Sequence, residues 1–528
     1  MFWRRSTGRS DVLAQNGIVA TSQPLATQAG IRILRNGGNA IDAVVGAGAV
    51  LDVVEPFSTG CGGDAFTLIH KPGMKKPLSY NGSGRSGSLV SLEDLLEKGW
   101  TEMPIRGGAT VSVPGAMHLW GTLIEQHGNL DLKDVLQPAI YYAENGFPVS
   151  PIISEYWSNV PSVLRNEDAK RIYNPNGMIP EVGDIMKNPD LAATFTQVAK
   201  EGIDAFYTGK IAESIVETVQ SDGGFLTLDD LSNHKTVQTK PISTDYRGVE
   251  VFEHPPNGQG FAALIMLNIM EQFDFSRFHS LSYERYHLMI EAKKLAYDDL
   301  YRHNADPDFY DIPLDKLLSK SYATSRASFI DLNGVMNTTD ISMKQGPDTV
   351  YLCVADGEGN AVSFINSLYM GIGSGLVAKG TGIKLQNRAN MFSLDPDHPN
   401  CYAPRKKPFH TIIPGALYKD GDFYGVFGIM GGAHQSQAHA QFVSNLIDFQ
   451  MSPQAAMDHP RFHHNQVPNT LALENGIAPE TQGKLRKLGH QLVHETMSSF
   501  GGGQVILRLH DAWIAGSDFR KDGQAAGF

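Results

Sequence analysis

Hydrophobic positions recur along this chain with two periods, which divide it into helical and strand-like stretches. From Pro24 to Arg35 apolar residues fall at helical spacing, with Leu25, Ile31 and Leu34 on one face, and Gly37-Gly38 stops the run. Asn39 stands where an N-cap is needed, and the apolar stretch Ala40 to Val54 follows as a second helix. Further helices are predicted from Ala116, over Leu132 to Gly146, over Leu191 to Val219 with a break at Phe206 to Gly209, over Tyr283 to His303, and over about Ala433 to Phe449. Strand pattern marks Gly17 to Ser22, Ala65 to His70 and Tyr246 to Phe252, the last leading into the loop Pro255-Pro256-Asn257-Gly258. Leu78 to Gly87 reads as a turn-rich loop. Ser58 to Asp64 is rich in glycine but precedes a strand, the wrong order for a phosphate loop, so it signifies tight backbone packing.

Two hairpins stand out. The breaker Gly346-Pro347-Asp348 is followed by an apolar run from Thr349 to Ala355, the turn cluster Asp356 to Asn360, and a second β-rich run from Ala361 to Leu368. A ladder symmetric about Glu358 sets Asp356 opposite Asn360 and Ser367 opposite Thr349, two hydroxyls about 5 Å apart at Cβ. The polar stretch Asp331 to Asp348 reads as an arm delivering Asp348-Thr349. A threonine at a chain start can use its own α-amine as base, and cleavage before Thr349 would supply one; alternatively Thr349 is a β-branched residue opening a strand. The second hairpin pairs Thr411 to Tyr418 with Phe423 to Met430, then Gly431-Gly432 enters a helix. Two glycine N–H groups at such a junction point at an anion or make a plain turn.

Composition narrows the classes. A 528-residue chain with 41% hydrophobic and 19% charged residues has an ample core, and its net charge of -12 argues against a nucleic-acid surface. Three widely spaced cysteines outline no disulfide framework. Ala40 to Val54, the most apolar stretch, carries Asp42 and Asp52 and is too short to span a bilayer, and no apolar run follows the N-terminal arginines, so a cytoplasmic protein with no membrane partner is expected. The histidine spacings match no zinc protease, and neither a G-x-S-x-G elbow nor a dinucleotide fingerprint occurs; no metal or cofactor is expected. Cys61, in its glycine-rich turn, reads either as a nucleophile or as a small buried residue.

The segments GGNAIDAVV, GCGGDAFTLI, DTVYLCVADGEGNAVSF, GIMGGAHQSQ and GSDFRKDGQAAGF, in this order, resemble the γ-glutamyltransferase family of N-terminal-nucleophile hydrolases and its cephalosporin-acylase-like branch. The resemblance implies an α+β fold, a four-layer αββα sandwich. It also implies self-cleavage between Asp348 and Thr349 into a large chain, 1–348, and a small chain, 349–528, which stay together as one compact heterodimeric unit. Thr349 would then be the nucleophile, Ser367 its neighbour and Gly431-Gly432 the oxyanion hole. The family reads the substrate carboxylate with an arginine near this point; a gapless alignment puts Ser83 at its position, and Arg85 is either that arginine or an ordinary surface residue. Its aspartate and glutamine for the substrate ammonium fall at Met391 and Arg388, its serine pair at His410 and Thr411, and its asparagine at Tyr369. Methionine cannot pair with an ammonium, and Arg388 attracts a carboxylate. The segment from Asn400 to Lys407 is shorter than the family's lid loop, which predicts an open site. The expected activity is transfer of a γ-glutamyl group from small amides such as glutathione to water or an amine acceptor. A glutaryl-type amide acylase and an unprocessed, inactive binding relative are the alternatives.

Overall fold

The computed structural model describes residues 8–338 and 348–528. Half of the expected polar arm, 339–347, lies outside the described residues; Asp348 is not part of an arm but the first residue of a strand.

Two seven-stranded antiparallel sheets form the centre. One runs Val12–Ala14, Ala512–Ser517, Gly502–Leu509, Asp422–Met430, Gly415–Lys419, Val249–Glu253, Ile242–Tyr246. The other runs Gln524–Gly527, Gly17–Thr21, Asp348–Asp356, Ala361–Tyr369, Asp64–His70, Leu78–Asn81, Val237–Thr239. Side-chain alternation makes the layers. In the strand Asp348–Asp356, Val350, Leu352 and Val354 join the core under the helices Pro24–Arg35, Ala40–Val54 and Ala116–His127. Tyr351, Cys353 and Ala355 instead meet Phe252, Ala416, Val426 and Ile506 of the facing sheet. The outer face of that sheet is covered by Gly260–Met270, Tyr283–His303 and Gln435–Ile447. Helix, sheet, sheet and helix layers thus stack as expected.

The two acids inside the apolar helix Ala40–Val54 are both used. Asp42 closes a capping box with Asn39, and Asp52 forms an ion pair with Lys384 at 2.5 Å. Three elements differ from expectation. Leu78–Asn81 is a strand rather than a loop, paired with Asp64–His70. The single strand expected over Tyr246 to Phe252 is two, Ile242–Tyr246 and Val249–Glu253, joined by Arg247 and Gly248 at φ 53° and 84°, the conformation a two-residue hairpin turn demands. The long stretch from Leu191 divides into Pro189–Glu201, Asp204–Tyr207 and Gly209–Ser221. Among the described residues no helix is long and apolar enough to cross a membrane.

Candidate active site

The ladder between Asp348–Asp356 and Ala361–Tyr369 is regular from Val350 opposite Asn366 to Ala355 opposite Ala361, and it slips before Val350, where Asp348 faces Tyr369. At this irregularity Thr349 Oγ1 donates to the carbonyl of Asp348 at 2.7 Å and lies 3.0 Å from Ser367 Oγ. Ser367 Oγ also donates to the Asp348 carbonyl, at 3.1 Å. Its two lone pairs are already taken, by the Tyr369 N–H at 2.8 Å and by Arg388 Nη2 at 3.2 Å. The serine proton is therefore directed at the Asp348 carbonyl or at the threonine hydroxyl. Both hydroxyls converge on the peptide bond expected to break.

Arg388 holds this arrangement from behind. Fully buried, it donates through Nη1 to Thr411 Oγ1 at 2.8 Å, and its guanidinium stacks 4.4 Å from the centre of the Tyr369 ring. Burial lowers its pKa to about 10, so it stays a cation at neutral pH. Tyr369 sits at φ 80°, a costly conformation for a side-chain-bearing residue, directly opposite Asp348. The glycine-rich approach packs as tightly as its composition implied: a Cβ on Gly63 would stand 2.3 Å from the Ser367 carbonyl, and one on Gly62 1.9 Å from that of Lys384.

Gly431 and Gly432, at φ 131° and 59°, take up backbone conformations that favour glycine between the strand Asp422–Met430 and the helix Gln435–Ile447. Gln259, which sequence reasoning missed, ties this turn to the rest. Its buried Nε2 donates to the carbonyl of Gly432 at 2.8 Å and to that of Thr411. A continuous set of bonds therefore runs from Thr349 through Ser367, Arg388 and Thr411 to Gly432. The only hint in the sequence was the position of Gln259 just after the Pro255-Pro256-Asn257-Gly258 loop.

Two expected substrate contacts are occupied elsewhere. His410 Nε2 lies 3.0 Å from Asp64 Oδ2, and since its Nδ1 accepts from the Ile412 N–H, Nε2 carries the proton and donates it. Asp64 in turn accepts from the N–H groups of Gly84 and Gly115 and from Gln386, so the pair is a structural anchor; burial pushes Asp64 up to about 7 against the pull of Arg388. Arg85 is held by Asp306 at 3.0 Å and Asp308 at 2.5 Å, in a cavity of about 160 Å³ shared with Ser83 and Lys407, and makes no bond to the Thr349 cluster. Met391 belongs to the apolar core. The segment expected to leave the site open is tied down: Asn400 bonds the Met391 carbonyl and the Phe409 N–H. With the Asp348-Thr349 bond intact, Thr349 is 1% exposed.

His287, Glu291 and His490 come within ligating distance of a common metal, but protein partners use them: His287 bonds His490 and the Asp331 carbonyl, and Glu291 pairs with Lys294. Cys61 is buried and its thiol is raised well above the ordinary range by burial, which leaves it a poor nucleophile.

Asp348 is buried to 9% exposure beside a second cavity of about 160 Å³, walled by Phe57, Arg106, Tyr156, Gly371 and Ser498. The turn Met497–Phe500 that carries Ser498 runs on to Gly501, whose Cα would lie 3.2 Å from a Cβ on Gly431. One wall thus extends from Asp348 toward the glycine pair.

Residues 26–528 match the family described as gamma-glutamyltranspeptidase. The chain is 38% identical to the glutathione hydrolase-like YwrD proenzyme of Bacillus subtilis, over 98% of this chain and 99% of that one. It is 33% identical to the glutathione hydrolase proenzyme of Escherichia coli, over 96% and 90%. The crystal structure of a cephalosporin acylase from Bacillus halodurans superposes with a TM-score of 0.93 at 40% identity, covering 100% of this chain and 98% of that one. With these matches spanning nearly the whole of an αββα chain, it belongs to the gamma-glutamyltranspeptidase family.

Proposed function

We propose that this protein is a proenzyme that cuts itself before Thr349 and then works as a γ-glutamyl hydrolase and transferase on glutathione-like amides. The observation that carries this reading is the convergence of Thr349 Oγ1 and Ser367 Oγ on the Asp348 carbonyl. In the precursor Thr349 Oγ1 attacks that carbonyl carbon, the chain shifts from nitrogen to oxygen, and water hydrolyses the ester, leaving a carboxylate on Asp348 and a free α-amine on Thr349. A free α-amine titrates near pH 7.7 to 8.0, so part of it is neutral and able to act as base at physiological pH. In the mature enzyme the amine takes the Thr349 hydroxyl proton as Oγ1 attacks the substrate amide, and passes it to the departing nitrogen. The N–H groups of Gly431 and Gly432 receive the developing oxyanion. Water or an amine then releases the acyl group. An intact-mass spectrum tests this: chains of 348 and 180 residues are expected from the wild type and a single 528-residue chain from Thr349→Ala. Full amidase activity in an uncut protein would overturn it.

A second reading, a glutaryl-type amide acylase, is favoured by Met391, a thioether in an apolar core where the family places an acid for the substrate ammonium. The likeness to a cephalosporin acylase supports it. Comparing kcat/KM for γ-glutamyl and glutaryl anilides separates the two. We also infer a cytoplasmic location, supported by three thiols that stand unpaired, and recovery of the protein outside the cytoplasm on cell fractionation would refute it.

A further inference from the structure

The proposed self-cleavage needs a water molecule, and in the precursor the carbonyl to be hydrolysed and the space open to water belong to different sides of Asp348. Its backbone carbonyl accepts from the hydroxyls of Thr349 and Ser367, residues 1% and 0% exposed, so bulk water is shut out there. The side-chain carboxyl of the same residue lies against Gly371: it accepts from the Gly371 N–H, and its Oδ2 would stand 3.0 Å from a Cβ on that glycine. Asp348 and Gly371 together wall the cavity of about 160 Å³, which has room for several waters.

The surroundings also keep this carboxyl in its nucleophilic form. Burial pushes it up to about 6, against the pull of Lys521 and Arg106 and with a further push from Glu55, so at neutral pH it is an anion. Both cations are fixed in place. Lys521 faces Glu55 at 3.4 Å, and Arg106 donates through Nη1 to the carbonyls of Gly371 at 2.7 Å and Gly373 at 2.5 Å. An aspartate carboxylate reaches its own carbonyl carbon by closing a five-membered ring, and well-oriented intramolecular attack has an effective molarity of about 10⁵ to 10⁸ M. The nucleophile best placed for the buried ester is therefore this carboxylate rather than a water.

We propose that Asp348 completes its own release: its carboxylate displaces Thr349 Oγ1 from the ester to give a cyclic anhydride, which water opens from the cavity at the side-chain carbonyl. The inference rests on the proenzyme reading and deepens it. After the chain has shifted from nitrogen to oxygen, the free α-amine of Thr349 takes up a proton. One carboxylate oxygen of Asp348 then attacks the ester carbon. The bond from that carbon to Oγ1 breaks, its electron pair stays on Oγ1, and the α-ammonium gives Oγ1 a proton. This step severs the two chains. Water adds next to the side-chain carbonyl carbon, whose bond to the bridging oxygen breaks, so the bridging oxygen remains on the backbone carbon as part of the new α-carboxylate. The oxygen of water stays in the side-chain carboxylate, one of its protons returns to the amine and the other goes to solvent. One ester and one water thus yield one carboxylate, one hydroxyl and one proton.

The wild type carries the test, because this route moves an oxygen from the side chain of Asp348 to its α-carboxyl. The full chain is translated in vitro from aspartate with heavy oxygen at both side-chain carboxyl positions, and trypsin then frees Gln345-Gly346-Pro347-Asp348 from the large chain. On fragmentation the aspartyl immonium ion keeps the side-chain carboxyl and loses the α-carboxyl. The intact peptide should hold two heavy oxygens and the immonium ion one, with internal aspartyl peptides of the same digest reporting the starting enrichment. Two heavy oxygens in the immonium ion would mean that water attacked the ester directly, and the proposal falls. A wild type that stays uncut instead brings down the proenzyme reading itself, a result distinct from either labelling pattern. Asp348→Ala gives a second measure. It should self-cleave at least about a hundredfold more slowly and collect as the ester, which neutral hydroxylamine cuts into chains of 348 and 180 residues. Cleavage at the wild-type rate, or a folded full-length variant that hydroxylamine leaves intact, overturns the role given to the carboxylate.

Discussion

Ser367 bears on both halves of the proposed chemistry, because what it does is decided by hydrogen-bond capacity rather than by proximity. With Tyr369 N–H and Arg388 filling its lone pairs, its single proton is left for the Asp348 carbonyl or for Thr349. Replacing it with alanine removes one polarising donor from the bond to be cut, a loss on the order of 10² to 10³ in rate for an oxyanion donor. Ser367→Ala should therefore self-cleave that much more slowly, followed as the fraction of 528-residue chain over time, while Ser367→Thr, which keeps the hydroxyl, should process at close to the wild-type rate. Unimpaired cleavage of Ser367→Ala would remove this serine from the mechanism. At this scale the juxtaposition of Thr349 with Ser367 and the strand-to-helix place of the glycine pair were legible in the sequence, since local spacing sets where they stand. The settings of His410, Arg85, Gln259 and Arg106 were not, for the opposite reason. Their partners Asp64, Asp306, Thr411 and Gly371 lie far away along the chain, and periodicity carries no information about them.

At the scale of elements, helices with a cap and a stop came out nearly to the residue, as in Pro24–Arg35, Ala40–Val54 and Tyr283–His303. The hairpin at Arg247-Gly248 did not, because an arginine at positive φ gives no turn signal, and Leu78–Asn81 did not, because sheet neighbours outweigh its turn-like composition. The strand Asp348–Asp356 began one residue earlier than its apolar run, and that residue has a physical consequence. Pairing opposite Tyr369 buries Asp348, and burial raises its carboxyl to about 6, above the roughly 3.9 of an unfolded chain. The folded precursor therefore holds the proton more tightly than the unfolded one. The stability this contributes is fully present below about pH 4, falls as pH rises through 6, and is gone above, a change of roughly 3 kcal/mol. In a Thr349→Ala background, which keeps the bond intact, adding Asp348→Asn should lessen the fall in Tm between pH 4 and 7 by about 2–3 °C. Parallel Tm profiles for the two proteins would show that this carboxyl does not titrate as described.

For the molecule as a whole, the proposed cut falls at the start of a central strand, so the two products are interleaved. The strands Asp348–Asp356 and Ala361–Tyr369 are flanked by Gly17–Thr21 and Asp64–His70, and in the other sheet Gly415–Lys419 pairs with Val249–Glu253. Pulling the chains apart would break ladders in both sheets and open the core between them, so dissociation and unfolding become one event. Interleaving leaves a signature that is independent of catalysis. Unfolding of the intact precursor yields one chain and its Tm does not depend on protein concentration, whereas unfolding of the processed enzyme yields two and is opposed by mass action. With an unfolding entropy of about 2 cal/mol/K per residue over 528 residues, each tenfold rise in concentration should raise the Tm of the processed enzyme by about 1 °C and leave that of Thr349→Ala unchanged. Scanning calorimetry of both proteins over two decades of concentration measures it. A concentration-independent Tm for the cut enzyme, or separation of the chains before the main transition, would mean that the halves fold as independent units, contrary to the shared sheets.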